Sequence, residues 1–286
     1  MDIMAVVNRK GGVGKTTVSK VASEYFARKK RRVLAVDLDS QCNYSRRFIR
    51  MEMGEDGFIP PMHPEFSKDE DDDWSGRSSS ADIYMGGEVV PYPTTYDTLD
   101  ILPGDESRLA RMESDKALRD AENRNVSEAL RHFLRRDEVQ NEYDLAIIDT
   151  GPNRGPLSLS AIRAATHLLI PAQMEPQSIE GLWSVLKLWR KENQNRIDGD
   201  ALEILGILPN LFRKNVAAHE GALESLLNEP AVATHIMPMK MGMYTAIVES
   251  DFTDHLPPSV LDLTGTKCGA RDEALAFCQY IEEKLS

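Results

Sequence analysis

The sequence contains no apolar run of eighteen residues, so no segment has the length and character of a membrane-crossing helix. Cysteine is scarce: Cys42, Cys268 and Cys278 are the only three in 286 residues, and no two form a C-x-x-C pair. A chain with no cysteine between Cys42 and Cys268 lacks the clustered thiolates that an iron–sulfur cluster needs, and so few thiols fit a reducing compartment. Positive charge is in deficit, with 34 Lys and Arg against 46 Asp and Glu, a net of −12. That balance argues against a globally basic nucleic-acid binder, although an average hides patches.

What is present centres on Asn8 to Thr17, N-R-K-G-G-V-G-K-T-T. A short apolar run, Ile3 to Val7, has the make-up of a buried strand, and Val18, Val21, Ala22 and Tyr25 follow at helical spacing. Strand, glycine-rich loop and helix together form the context of a phosphate-binding loop. Backbone N–H groups around Gly11, Gly12, Val13 and Gly14 can turn toward phosphate oxygens at the positive end of the helix. Lys15 is placed to neutralise the β- and γ-phosphates, and Thr16, followed by Thr17, to offer Mg²⁺ a hydroxyl. A ligand-free glycine turn would need neither flanking lysine nor the threonine pair. The loop begins so near Met1 that no signal peptide is expected, which points to a cytoplasmic protein.

The usual phosphate loop has a glycine at the position of Arg9; this chain has Lys10-Gly11-Gly12 instead. K-G-G-V-G-K-T-T resembles, over all eight residues, the deviant phosphate loop of the ParA/MinD ATPases. The resemblance implies that Lys10 reaches across an ATP-dependent homodimer to the phosphates of the partner's nucleotide. Downstream, Val33 to Val36 reads as a second buried strand, followed by Asp37-Leu38-Asp39-Ser40-Gln41-Cys42-Asn43. Two carboxylates at a strand's carboxyl end could hold Mg²⁺ or orient water, or could simply cap a helix. The stretch resembles the family's D-x-D-P-Q-x-N segment, with Ser40 in place of proline. The water-positioning role of the family's second Asp then falls on Asp39.

Tyr143 to Asp149 is an apolar strand ending in a carboxylate, which after a phosphate loop suggests that Asp149 binds Mg²⁺ directly or through water. Further strand–helix pairs, Leu168–Pro171 with Ser178–Arg190 and Ala201–Leu208 with Val216–Leu227, predict a doubly wound α/β fold built on a mostly parallel sheet. Asn210 is a candidate for reading the adenine edge. Pro238 and Lys240 fall where relatives line the base with I-P-x-N. A single domain is expected over 1–286. Within it, Met51 to Ser80 carries nine acids against two bases and three prolines, and reads as a mobile acidic insertion.

The resemblance implies an ATP hydrolase of low basal turnover, using ATP and Mg²⁺. A ParA-like protein would dimerise on ATP, bind DNA of any sequence, be reset by a ParB-like adaptor and associate with the nucleoid. A MinD-like protein would instead cycle on a membrane. The chain ends Tyr280-Ile281-Glu282-Glu283-Lys284-Leu285-Ser286, without the basic amphipathic face that anionic lipid attracts, so no stable membrane association is expected. No long extension precedes the loop, so sequence-independent DNA contact is favoured over a helix-turn-helix. Candidate DNA contacts are Arg190, Lys191, Arg196, Arg213, Lys214, Lys267 and Arg271. The run Arg28-Lys29-Lys30-Arg31-Arg32 reads more simply as a cationic helix end.

Overall fold

Buried strands alternate with amphipathic helices along the chain, and a computed structural model describes residues 1–67, 74–114, 124–153, 155–196, 200–245 and 258–285. In order the elements are β1 (Asp2–Val6), α1 (Lys15–Arg28), β2 (Val33–Leu38), α2 (Ser45–Phe48), β3 (Glu52–Gly54), β4 (Gly57–Ile59) and α3 (Asp82–Met85). Then come β5 (Tyr92–Pro93), β6 (Leu99–Leu102), α4 (Glu106–Ser114), α5 (Arg124–Leu134), α6 (Asp137–Glu142) and β7 (Leu145–Thr150). The chain continues through α7 (Pro156–Ala164), β8 (His167–Ala172), α8 (Pro176–Gln194), β9 (Glu203–Pro209), α9 (Ala217–Leu227), α10 (Pro230–Ala233) and α11 (Cys268–Lys284).

Seven strands form one sheet in the order β5-β6-β2-β7-β1-β8-β9. All neighbouring pairs run parallel except β5 with β6. Both faces are covered, as a parallel sheet requires. The two-residue period of a strand splits β1 between them. Met4 and Val6 pack on the side of α1 and α11, among Val18, Val21, Phe277 and Ile281. Ile3, Ala5 and Val7 pack on the side of α5, α7 and α8, among Leu130, Phe133, Ile162 and Leu182. The strand carrying the phosphate loop therefore contributes to both cores.

Neither sheet edge is open along its length. At one, β5 is two residues long and includes Pro93, which has no N–H to offer. At the other, the Ile207 N–H donates to His235 O at 2.7 Å and the Met237 N–H to Ile207 O at 2.9 Å, so a short segment lies along β9.

Within 51–80, the stretch expected from sequence to be a mobile acidic insertion, the described residues make contacts with each other and with the rest of the fold. Strands β3 and β4 form an antiparallel hairpin. The Phe58 N–H donates to Glu106 at 2.9 Å, and the Arg46 guanidinium lies 4.5 Å from the centre of the Phe58 ring. Arg77 donates to Pro60 O and pairs with Glu52. His63 packs its ring on Trp74 and Tyr92. Aromatic side chains and an arginine hold this stretch down despite its acidity; its most acidic run, 68–73, lies outside the described residues. The basic run 28–32 is held locally: Arg28 pairs with Asp262, Lys29 with Glu282, Arg31 with Asp2 and Arg32 with Asp144.

Candidate nucleotide site

The loop after β1 is braced on both flanks. The Val7 N–H donates to Leu169 O at 3.0 Å, and the Asn8 amide donates to Pro171 O at 2.8 Å while accepting from the Lys10 N–H. Gly14 has φ 86°, a left-handed conformation that turns the chain into α1. A Cβ there would also stand 2.3 Å from the Asn210 amide nitrogen. The N-cap, Gly14, has no side chain to cap α1, which leaves its leading N–H groups available to a ligand.

Three carboxylates border this crevice at the ends of β2 and β7. Asp149 is fully buried and accepts from Thr16 Oγ1 at 2.7 Å and Ser19 Oγ at 3.0 Å. Burial, reinforced by the charge of Asp37, pushes its pKa up to about 7. Asp37 is buried too and is raised to about 6, again chiefly by burial. It accepts from the Asp39 N–H at 3.0 Å and from the Ser45 N–H and hydroxyl at 2.8 and 2.7 Å, tying together both ends of the loop that carries Asp39. Asp39 is half-buried, accepts from the Gln41 N–H at 3.0 Å, and lies 3.4 Å from where a Cβ on Gly151 would sit. Lys15 is 6% exposed, and burial lowers its pKa against the opposing charges of Asp149 and Asp39. Its ammonium group therefore lies within electrostatic reach of the same two carboxylates that the sequence singled out.

Among the described residues no three His, Cys, Asp or Glu side chains form a ready metal cage. Mg²⁺ does not require one, since it keeps water and takes phosphate oxygens beside one or two protein oxygens. The Thr16 hydroxyl and the buried Asp149 carboxylate, two hard oxygen donors 2.7 Å apart, fit such an ion.

Lys10 stands on the outer side of the loop. Its ammonium donates to Gln173 at 2.8 Å and to Glu175 at 2.6 Å, both between β8 and α8. Gln173 also donates to Gly12 O at 3.3 Å. Sequence reasoning missed both partners, although their position just beyond the carboxyl end of β8 marks them as crevice residues in this fold.

A family model described as "AAA domain" matches residues 1–199. The Soj chromosome-partitioning ATPase of Thermus thermophilus is 30% identical over 210 residues, covering 73% of this chain and 69% of Soj. The chain belongs to the ParA/Soj-like partition ATPase family. A putative replication protein A of Sinorhizobium fredii is 34% identical over 186 residues, 63% of this chain. The chain spans 41% of that protein and 56% of a Rhizobium rhizogenes counterpart. Among solved structures, an ATP complex of a Cyanothece McdA variant superposes with TM-score 0.76 at 16% identity, over 99% of this chain and 96% of that one. A Mycobacterium smegmatis cobyrinic acid a,c-diamide synthase with ATP analogue and magnesium reaches 0.69 at 21%, over 100% and 94%. At such identities the likeness is one of fold, a P-loop architecture whose neighbours carry adenine nucleotide and magnesium.

In this ParA/Soj-like chain two of the candidate adenine contacts are engaged within the fold. The buried Asn210 donates its amide to Val13 O at 2.7 Å, which fixes the floor of the phosphate loop. Pro238 is exposed. Lys240 bonds both oxygens of Glu220 at 3.0 Å and stacks 4.2 Å from the centre of the Phe212 ring. Thr17 is half-buried behind Thr16. Ser19, Asp37 and Ser45 join the site as supports that the motif alone did not single out.

Proposed function

We propose that this chain is a partition-type ATPase that binds ATP with Mg²⁺, dimerises around two nucleotides, and hydrolyses ATP slowly to ADP and phosphate. The dimer binds DNA without regard to sequence and is reset by a ParB-like adaptor, in the cytoplasm on the nucleoid. The observation that carries the reading is the convergence of Lys15, Thr16, Asp39 and Asp149 on one crevice while Lys10 stands outside it. Lys15 holds the β- and γ-phosphates, and Thr16 and Asp149 hold Mg²⁺, which supplies charge neutralisation at the phosphates when bound. Asp39 orients the attacking water. Lys10 is held at the loop's outer side, where a cation supplied in trans would meet charge developing on a transferring phosphoryl group. Asn210 supports the loop and, with Pro238 and Lys240, borders the base. The chain acts as one domain over 1–286.

A membrane-cycling function is less well supported. The apolar face of α11, with Ala270, Ala274, Phe277, Cys278 and Ile281, is buried in the core and has no surface left for lipid. Among the described residues no helix is long and apolar enough to cross a membrane.

The test is light scattering with ATP, ADP and no nucleotide, beside phosphate release. Wild type should dimerise in ATP alone. Lys10→Ala should bind ATP yet stay monomeric, and Asp39→Ala should dimerise and not turn over. An ATP-dependent Lys10→Ala dimer, or normal turnover by Asp39→Ala, would sink the assigned roles.

A further inference from the structure

Cations in this acidic molecule mostly stand beside carboxylates. Of the DNA candidates read from sequence, Lys214 pairs with Glu273 at 3.2 Å and Arg271 with Asp272 at 2.8 Å. Arg196 spends its guanidinium on the Ile162 and Arg163 carbonyls at 2.8 and 2.9 Å. Helix α8 is different. Lys187, Arg190 and Lys191 are exposed, and among the described residues none of them has an ion-pair, hydrogen-bond or ring partner. Residues 183, 187, 190, 191 and 194 recur at the three- and four-residue spacing of one helix face. Trp183, one of few large apolar side chains on the surface, is 38% exposed on that face. These side chains and Arg9 line an open groove.

We propose that this groove on α8 is where the protein holds the sugar–phosphate backbone of DNA. The proposal rests on the partition reading above and assigns its DNA contact to one surface. Three cations with no ion-pair partner among the described residues concentrate positive potential where a net charge of −12 would otherwise repel a polyanion. A cationic groove with an exposed indole is also the combination that tracks a backbone and packs against its bases or sugars. Gln194 adds a neutral side chain of a kind that contacts phosphate. An acidic protein segment shares the charge but has less use for a lone indole among cations. The groove adjoins the nucleotide site: Arg9 precedes Lys10, whose ammonium is bonded to Glu175 at the entry to α8. Freeing Lys10 on dimerisation would alter the groove's head, and two protomers would present two grooves at once.

The experiment compares wild type with the triple variant Lys187→Ala, Arg190→Ala and Lys191→Ala, all exposed positions on a helix where alanine is well tolerated. Anisotropy of labelled random-sequence duplex and of oligo-dT is followed in ATP across a salt series, with dimerisation in ATP as the control. The triple variant should dimerise, lose at least tenfold in DNA affinity, and show a log–log salt slope shallower by about 0.9 for each lost phosphate contact. Trp183→Phe should abolish the part of the tryptophan quenching that DNA causes in wild type. A wild-type protein that dimerises but ignores DNA defeats the partition reading and this proposal with it. Wild-type binding matched by the triple variant, in affinity and slope, overturns the groove alone. Binding of poly-glutamate without binding of either DNA would overturn it in favour of an acidic protein partner.

Discussion

Lys10 is the residue whose surroundings most constrain the mechanism. An ammonium bonded to Glu175 at 2.6 Å cannot at the same time serve a nucleotide on another subunit. The pair is partly exposed, at 21% and 42%, so its worth is about 0–1 kcal/mol. In the ATP dimer proposed above, with Lys10 acting in trans, two such pairs would open for each dimer formed. Glu175→Gln should therefore tighten ATP-dependent dimerisation, by up to roughly thirtyfold if each pair is worth about 1 kcal/mol. Sedimentation equilibrium in ATP reads this directly, and a weaker dimer would mean that Glu175 helps the closed state and does not compete with it. Asp37 constrains in the opposite sense. Its carboxylate accepts three hydrogen bonds from Asp39 and Ser45, so it fixes the backbone of the loop that carries Asp39.

At the scale of elements, the acidic stretch changes meaning between sequence and structure. Nine acids, three prolines and a serine-rich end describe a segment with little reason to fold. Among its few aromatic residues, two meet partners outside the stretch: His63 meets Tyr92, and Phe58 meets Arg46. The Tyr92 hydroxyl donates to Pro61 O at 2.8 Å and accepts from the Ser78 N–H at 3.1 Å, and Ser80 donates to Asp37 O at 2.6 Å. Excising 51–80 would strand these buried partners at about 1–3 kcal/mol each. The deletion should lower the thermal midpoint, and an unchanged melt would show that the stretch is only laid on the surface. Other elements were readable because their signals are local. The strands ending at Leu38, Thr150, Ala172 and Pro209 are apolar runs with a polar or proline stop. The short helices α2, α3 and α10, and the strands β3 to β5, carry no period long enough to detect. Lys15, Thr16, Asp39 and Asp149 stand out as candidates in the sequence because they fall within motifs. Gln173 and Glu175 were not, because their meaning lies in a contact with a residue more than 160 positions away.

Across the whole molecule, buried ionisable groups make stability depend on pH in two directions. His167 and His235 have pKa values lowered mainly by burial, His167 against the charges of Asp2 and Glu203 and His235 with help from Arg190. For a histidine lowered in the folded state, stability is intact above the unfolded pKa of about 6.5 and is lost as pH falls below it. The raised pKa values of Asp37 and Asp149 act oppositely in the nucleotide-free chain. The histidine share is therefore read as a difference. In urea, His167→Asn with His235→Asn should lose less midpoint than wild type between about pH 7.5 and pH 5.5. Equal losses would mean that both histidines titrate normally in the fold.

The closed sheet edges limit how copies of this chain can meet. Strand-to-strand addition needs a free ladder of N–H and C=O groups, and here Pro93 interrupts one edge while the backbone around His235 and Met237 occupies the other. Growth by extension of the seven-stranded sheet is thus hindered at both of its ends. A filament or lattice of this protein is then favoured to assemble through side-chain surfaces, and to come apart under whatever loosens them.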